Sequence, residues 1–151
     1  MHKKVNPIPE GYRTITPHLS LKDAARAIQF YKDAFDAIEI KRHNTDDGQV
    51  LHAVIKIGDS LVMIANEFPD QSCGISSPQS LKGTTTLLHL YLEDVDATFD
   101  RAVAAGAKVM MPMTNMFWGD RYGQLEDPFG HAWALSMHIF DVSDEDMPNE
   151  V

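Results

Sequence analysis

The chain has 151 residues, 44% of them hydrophobic and 23% charged, with 22 acidic side chains against 13 basic ones and a net charge of −9. A chain of this length buries roughly two-thirds of its unfolded surface, enough for one compact unit or two small halves sharing a core without staples. The acidic balance argues against a sequence-independent nucleic-acid binder, which needs clustered Lys and Arg to displace counterions, and no apolar run is long enough to span a membrane.

The opening MHKKVNPIPEGY has two lysines but no apolar core behind them, so residues 1–11 read as an extended arm and not as a secretory signal. Ile15, Leu19 and Leu21 among Thr and His predict a strand over 12–21. Asp23 then sits where a helix N-cap is wanted, and Ala24, Ala27, Ile28, Tyr31 and Phe35 follow at helical spacing. Three β-like runs come next, at 37–43, 50–57 and 60–66, the last two joined by a tight turn at IGDS. The segment 67–83 is polar and rich in Ser, Pro and Gly, and reads as a linker. It holds the only cysteine, Cys73, which has no intrachain partner, fits a reducing cytoplasm and has no nearby base to make it a nucleophile.

The second half repeats the first. HLSLKD, from His18 to Asp23, returns as HLYLED, from His89 to Asp94, 71 positions later. A strand over 84–92 leads to a cap at Asp94 and a helix carrying Val95, Phe99, Ala102, Val103 and Gly106 on its apolar stripe. Strands are predicted at 108–113, 118–126 and 131–138, with a second tight turn at FGHA. The tail 141–151 is acidic, and Ser143 and Asp146 have the spacing of a capping box for a short helix. The expected organisation is a first module at 12–66 and a second at 84–140, each β-α-β-β-β. The expected fold is α+β, with the two tandem βαβββ modules curving a mixed sheet around a cleft of approximate twofold symmetry.

ITPHLSLKDAARAIQFYKDAF, IGDSLVMIANEFP, SLKGTTTLLHLYLEDVDATFDRAVAAGA and FWGDRYGQLEDPFGHAWALSMH together cover most of 12–140. In these strings the chain resembles the vicinal oxygen chelate superfamily of glyoxalase I, extradiol dioxygenases and bleomycin-resistance proteins, in its PhnB-like branch. The resemblance implies a small-molecule ligand in the cleft and a homodimer, with or without exchange of halves; the lone cysteine and the N-terminus without an apolar core point to the cytoplasm. Metal-dependent members draw ligands from the first and fourth strands of each half. Carried over residue by residue, those positions fall at Thr16, at Val62 or Met63, at Leu87 and at Ala134. The apolar ones cannot bind an ion, so no cofactor is expected, and the leading expectation is a glyoxalase/bleomycin-resistance-like protein that binds a small aromatic or apolar molecule. The alternative is a metal-dependent lyase, isomerase or dioxygenase with Zn or Ni on a displaced site of His18, His89 and His138.

Alternation selects the ligand-facing side chains. His18 and His89 lie two residues beyond the lost ligand positions and so share their face; His138 has the parity of Ala134 and Tyr91 that of His89. Glu126 offers a carboxylate on the preceding strand. Phe117 and Trp118 are suited to stack on a planar ligand, and Arg121 to hold a carboxylate or phosphate through its planar fork. Four methionines in 110–123 read as gap-fillers, and Trp133, of opposite parity, as packing under a helix. His52 lies on the third strand with its face undecided. Asp23 and Asp94 read as caps and not as catalysts. HExxH, CxxC, GxGxxG, GxxxxGK[ST] and GxSxG are all absent.

Overall fold

A computed structural model describes residues 1–71 and 74–149, so Cys73 and the end of the tail lie outside the described residues. The first half runs β1 (His18–Leu21), α1 (Ala24–Phe35), β2 (Ile38–Asn44), β3 (Val50–Ile57) and β4 (Ser60–Asn66). A short helix α2 (Pro78–Leu81) lies in the connection. The second half runs β5 (Leu87–Tyr91), α3 (Val95–Ala104), β6 (Lys108–Asn115), β7 (Asp120–Glu126) and β8 (Ala132–His138). A 3₁₀ turn at Asp144–Asp146 follows.

The strands form two four-stranded mixed sheets, ordered β1-β4-β3-β2 and β5-β8-β7-β6. In each, the first strand is parallel to the fourth and the other pairs are antiparallel. Each βαβββ module contributes one of these sheets, as the tandem-module fold expects, and among the described residues no hydrogen-bonded ladder joins the two. The opening strands are shorter than alternation predicts. Pro17 has no N–H to give, so only its carbonyl joins in, accepting from Met63 N at 2.9 Å, and the β1 ladder starts after it.

Local chemistry sets the helix starts. The Asp23 carboxylate accepts from Arg26 N at 3.1 Å and Asp94 from Ala97 N at 3.2 Å, satisfying first-turn donors. In the connection, Glu67 accepts from Ser77 N and from the Ser80 hydroxyl, each at 2.6 Å, and the Ser77 hydroxyl caps α2. These bonds hold the connection against the end of β4.

One apolar core runs through both halves on the helix side of the sheets. Leu19, Leu21, Ile55 and Ile64 supply it from the first half, and Phe99, Leu125, Trp133 and Leu135 from the second. Trp133 packs under a helix, and that helix belongs to the other half: its ring centroid lies 5.3 Å from that of Tyr31 and 4.8 Å from that of Phe35. Asp127, buried in the β7–β8 turn, fastens the junction. It accepts from Tyr31 Oη at 2.6 Å, Trp133 Nε1 at 3.0 Å, Phe129 N at 2.9 Å and His131 N at 3.0 Å. Burial, then the adjacent carboxylate, raises the Tyr31 phenol well above its ordinary value, so it stays a donor. Among the described residues, no helix is long and apolar enough to cross a membrane.

Candidate functional site

Strand alternation sends half of each strand to the core and half to the face opposite the helices. In the second half Leu88, Leu90, Leu125, Trp133 and Leu135 go to the core. The open face receives His89 and Tyr91 from β5, Ser136 and His138 from β8, and Asp120, Tyr122, Gln124 and Glu126 from β7. Register places Ser136 between Tyr91 and Tyr122.

These side chains build a row of rings. His89 stacks on Tyr91, centroids 4.8 Å apart and planes 21° apart, and lies 5.6 Å from Tyr122. Trp118 meets Tyr122 edge-on at 5.4 Å, and Phe117 meets Trp118 edge-on at 5.0 Å. His89 Nε2 shares a 2.7 Å hydrogen bond with the Ser136 hydroxyl, which fixes the imidazole. The ends of the row are open to solvent, Tyr91 at 65% and Phe117 at 47% exposed, while Tyr122 between them is buried at 7%.

A polar chain flanks the rings. The buried Asp120 accepts from Tyr91 Oη at 3.0 Å and from His138 Nδ1 at 2.9 Å, and His138 Nε2 bonds Asp141 at 2.8 Å. Burial pushes the Asp120 carboxyl up, but hydrogen bonds from His138 and Tyr91 more than offset this, and its pKa is lowered. The bonds to Asp120 and then Asp141 raise His138 above its ordinary value. The sign of the pH effect follows. A raised histidine stabilises the fold at low pH and loses that contribution as pH rises through its folded pKa. A lowered carboxylate contributes above its ordinary range and loses that as pH falls through its folded pKa. Stability should therefore decline on the alkaline side of the ordinary histidine value, about 6.5. His138→Gln should flatten that limb in urea unfolding measured across pH, and an unchanged slope would remove His138 from the account.

Of the expected ligand-facing residues, His89, Tyr91, Phe117, Trp118, Glu126 and His138 lie on this face or at its rim. Arg121 does not, and the expectation that it faces a ligand is corrected. Odd positions of β7 point to the helix side, where its guanidinium grips Asp96 of α3 through two bonds of 2.6 Å and Asn115 at 3.0 Å. Asp120, Tyr122 and Ser136 are the members that sequence reasoning passed over. Their parity with His138 and Tyr91 carried the signal.

His18 is on the other sheet, edge-on to His52 at 5.9 Å. Among the described residues, no group of three or more His, Cys, Asp or Glu is placed to hold a metal ion, so His18, His89 and His138 are not brought together as a ligand set. At the positions the resemblance marks, Thr16 precedes β1, Met63 is the partner of His18, Leu87 that of Ala132 and Ala134 that of His89. Of the side chains at these positions, Thr16 alone carries an oxygen, and Leu87 and Ala134 carry no donor atom. A cavity of about 280 Å³ does lie between the halves, lined by Ile15, Leu61, Leu88, Leu90 and Trp133 among others.

Comparison with known proteins matches this architecture. A family model, Glyoxalase/Bleomycin resistance protein/Dioxygenase superfamily, matches residues 15–135. The uncharacterized protein Rv0887c of Mycobacterium tuberculosis is 46% identical over 131 residues, which is 85% of this chain and 76% of that protein. Among solved structures, TioX from Micromonospora sp. ML1 has a TM-score of 0.66 at 25% identity, covering 85% of this chain and 100% of its own. The PhnB protein from Bacillus cereus, a putative 3-demethylubiquinone-9 3-methyltransferase, scores 0.61 at 21% identity, with 83% and 99% covered. The fosfomycin resistance protein FosX from Listeria monocytogenes, solved with Mn(II) and sulfate, scores 0.62 at 18% identity, with 89% and 95% covered, and shares the fold. The duplicated β-α-β-β-β halves, their sheet order and these matches agree: the chain belongs to the glyoxalase/bleomycin resistance protein/dioxygenase superfamily.

Proposed function

We propose that this protein binds a small planar aromatic molecule on the open face of its second half, without a metal ion. The observation that carries the reading is the ring row itself, with His89 stacked at 4.8 Å on a Tyr91 that is 65% exposed. Rings held in place but left uncovered present π-faces at little entropic cost, and Tyr91 Oη and Ser136 add polar contacts beside them. The fold also carries Mn(II) in FosX, so the metal-free reading rests on the side chains of this chain and not on its architecture. A homodimer in the cytoplasm is part of the reading: a second copy seated over this face would turn an open row into a pocket.

The chain has two tryptophans, and Trp133 is only 1% exposed, so a ligand on the row reaches Trp118 alone. Planar aromatic compounds should quench Trp118 fluorescence saturably, and EDTA should leave the binding curve unchanged. Tyr91→Ala should weaken binding about tenfold or more, the usual effect of losing one stacking ring. Absence of saturable quenching across a panel of planar compounds, or its loss with chelator, would overturn the reading.

A further inference from the structure

The first half's open face has a different chemistry from the second's. His18 and Ser20 reach it from β1 and Met63 and Ala65 from β4. Between β2 and β3 the register slips: Asn44 is opposite Val50 but His43 is opposite His52, leaving Leu51 as the extra residue of a bulge. The bulge turns Leu51 and His52 to the same side. Leu51 lines one cavity with His18, and the His52 ring meets His18 edge-on at 5.9 Å. Cross-strand pairing adds His43 beside His52, and Lys41 beside Val54. Lys56 follows on β3, opposite Leu61.

Three imidazoles and two ammonium groups thus share a face in a chain whose net charge is −9. Glu39 of β2 is taken up elsewhere, by Arg42 at 2.6 Å and Lys32 of α1 at 3.5 Å. The cavity, about 270 Å³, lies between this face and Phe68, Gln71, Gly74 and Ile75 on the far wall. None of its described lining residues is a carboxylate. Its Asn66 side chain is already committed, to Val50 N and to the Lys22 carbonyl. The Ser20 hydroxyl is committed to the Ile75 carbonyl. That leaves His18 and the Gln71 amide on the cavity wall, with His52 edge-on to His18 and Lys41 on the same sheet face just outside it.

We infer that this face is a subsite for a small oxyanion, a carboxylate or phosphate group, held by His18, His52 and Lys41. Two imidazoles 5.9 Å apart let the oxygens of one anion accept from both rings. The like charges on this face oppose one another: burial, then the nearby His18, Lys41 and His43, lowers the His52 pKa. A bound anion reverses the repulsive part, so binding and His52 protonation are linked. The site lies on the other half from the ring row and does not depend on an aromatic ligand.

The test is a histidine-ring NMR titration with inorganic phosphate and, separately, with acetate, near pH 6.5 at ionic strength fixed with KCl. The His18 and His52 signals should move saturably and the His52 titration midpoint should rise. His52→Gln and Lys41→Met, with folding checked by circular dichroism, should each weaken binding about threefold or more. A stronger response to phosphate or to acetate tells which oxyanion the site prefers. No saturation beyond the KCl control, shifts equally large at His2 and His131, or a response to Zn²⁺ but to neither oxyanion would overturn the inference. Trp118 fluorescence read on the same samples keeps this outcome separate from that of the ring row.

Discussion

Replacing Asp127 with Ala should lower the unfolding free energy by about 3–5 kcal/mol, the range for stranding several buried donors at once. Asp127 is only 3% exposed, and its carboxylate takes four hydrogen bonds, two from side chains and two from backbone amides of its own turn. Alanine leaves three buried donors, Tyr31 Oη, Trp133 Nε1 and Phe129 N, and the part-buried His131 N without this acceptor. Tyr31→Phe removes one donor and leaves the carboxylate three, so it should cost about 1–2 kcal/mol. The double variant should cost less than the sum, because the two residues share a bond. Urea unfolding followed by circular dichroism measures all three. The result matters because Tyr31 lies on α1 and Asp127 between β7 and β8, so the bond spans the two halves. A loss under 1 kcal/mol for Asp127→Ala would mean that apolar packing of Tyr31 and Phe35 on Trp133 holds the halves without it.

The duplication was legible because its period is carried by residues with backbone duties. Asp23 and Asp94 cap helices, and Gly58 and Gly130 take φ of 57° and 92° in matching turns. Such positions tolerate few residue types, so both copies keep them. Strand parity was equally readable: it placed His89, Tyr91 and His138 on one face and Trp133 on the other. What stayed hidden depends on contacts between strands distant in sequence. Arg121 had acidic neighbours on either side, Asp120 and Asp127, yet its partner is Asp96, 25 positions away. Nothing beside Asp120 in the sequence marks it as buried, whereas the fold places it, 4% exposed, between Tyr91 and His138. The bulge at Leu51 shifts parity by one residue, which left the direction of His52 undecidable from alternation alone.

The repeat conserves backbone and leaves chemistry free. His18 and His89 lie on equivalent strands and pair with equivalent positions, Met63 and Ala134. Yet His18 faces a second imidazole across 5.9 Å, while His89 is fixed by a serine hydroxyl and stacked on a tyrosine. The helix sides of both sheets merge into one core and are constrained together. The open sides carry no such burden, so one became basic and the other aromatic.

Gly119→Ala should be the most disruptive change of a single methyl group, costing about 3 kcal/mol or more. Gly119 has φ of 97°, and a Cβ built there would lie 2.0 Å from the Phe140 carbonyl oxygen and 3.1 Å from its carbon. Those are backbone atoms held in place from both sides: Ile139 N and Phe140 N donate to the Gly119 carbonyl at 2.9 and 3.2 Å. The obstruction therefore cannot swing aside as a side chain would. Gly48→Ala is the control, since it shares a positive φ, 86°, but its Cβ would meet nothing within 4 Å. That variant should cost only about 1 kcal/mol, from backbone conformation alone. The difference between the two in urea unfolding isolates the close approach, and equal costs would show that the segment after β8 yields easily. The position is also functional by adjacency, because Gly119 separates Trp118, the inner ring of the row's rim, from Asp120, its buried carboxylate. Where Gly119→Ala remains folded, relief of the clash must move one of them, and quenching of Trp118 by planar compounds should weaken about tenfold while the histidine response to oxyanions on the other half stays unchanged.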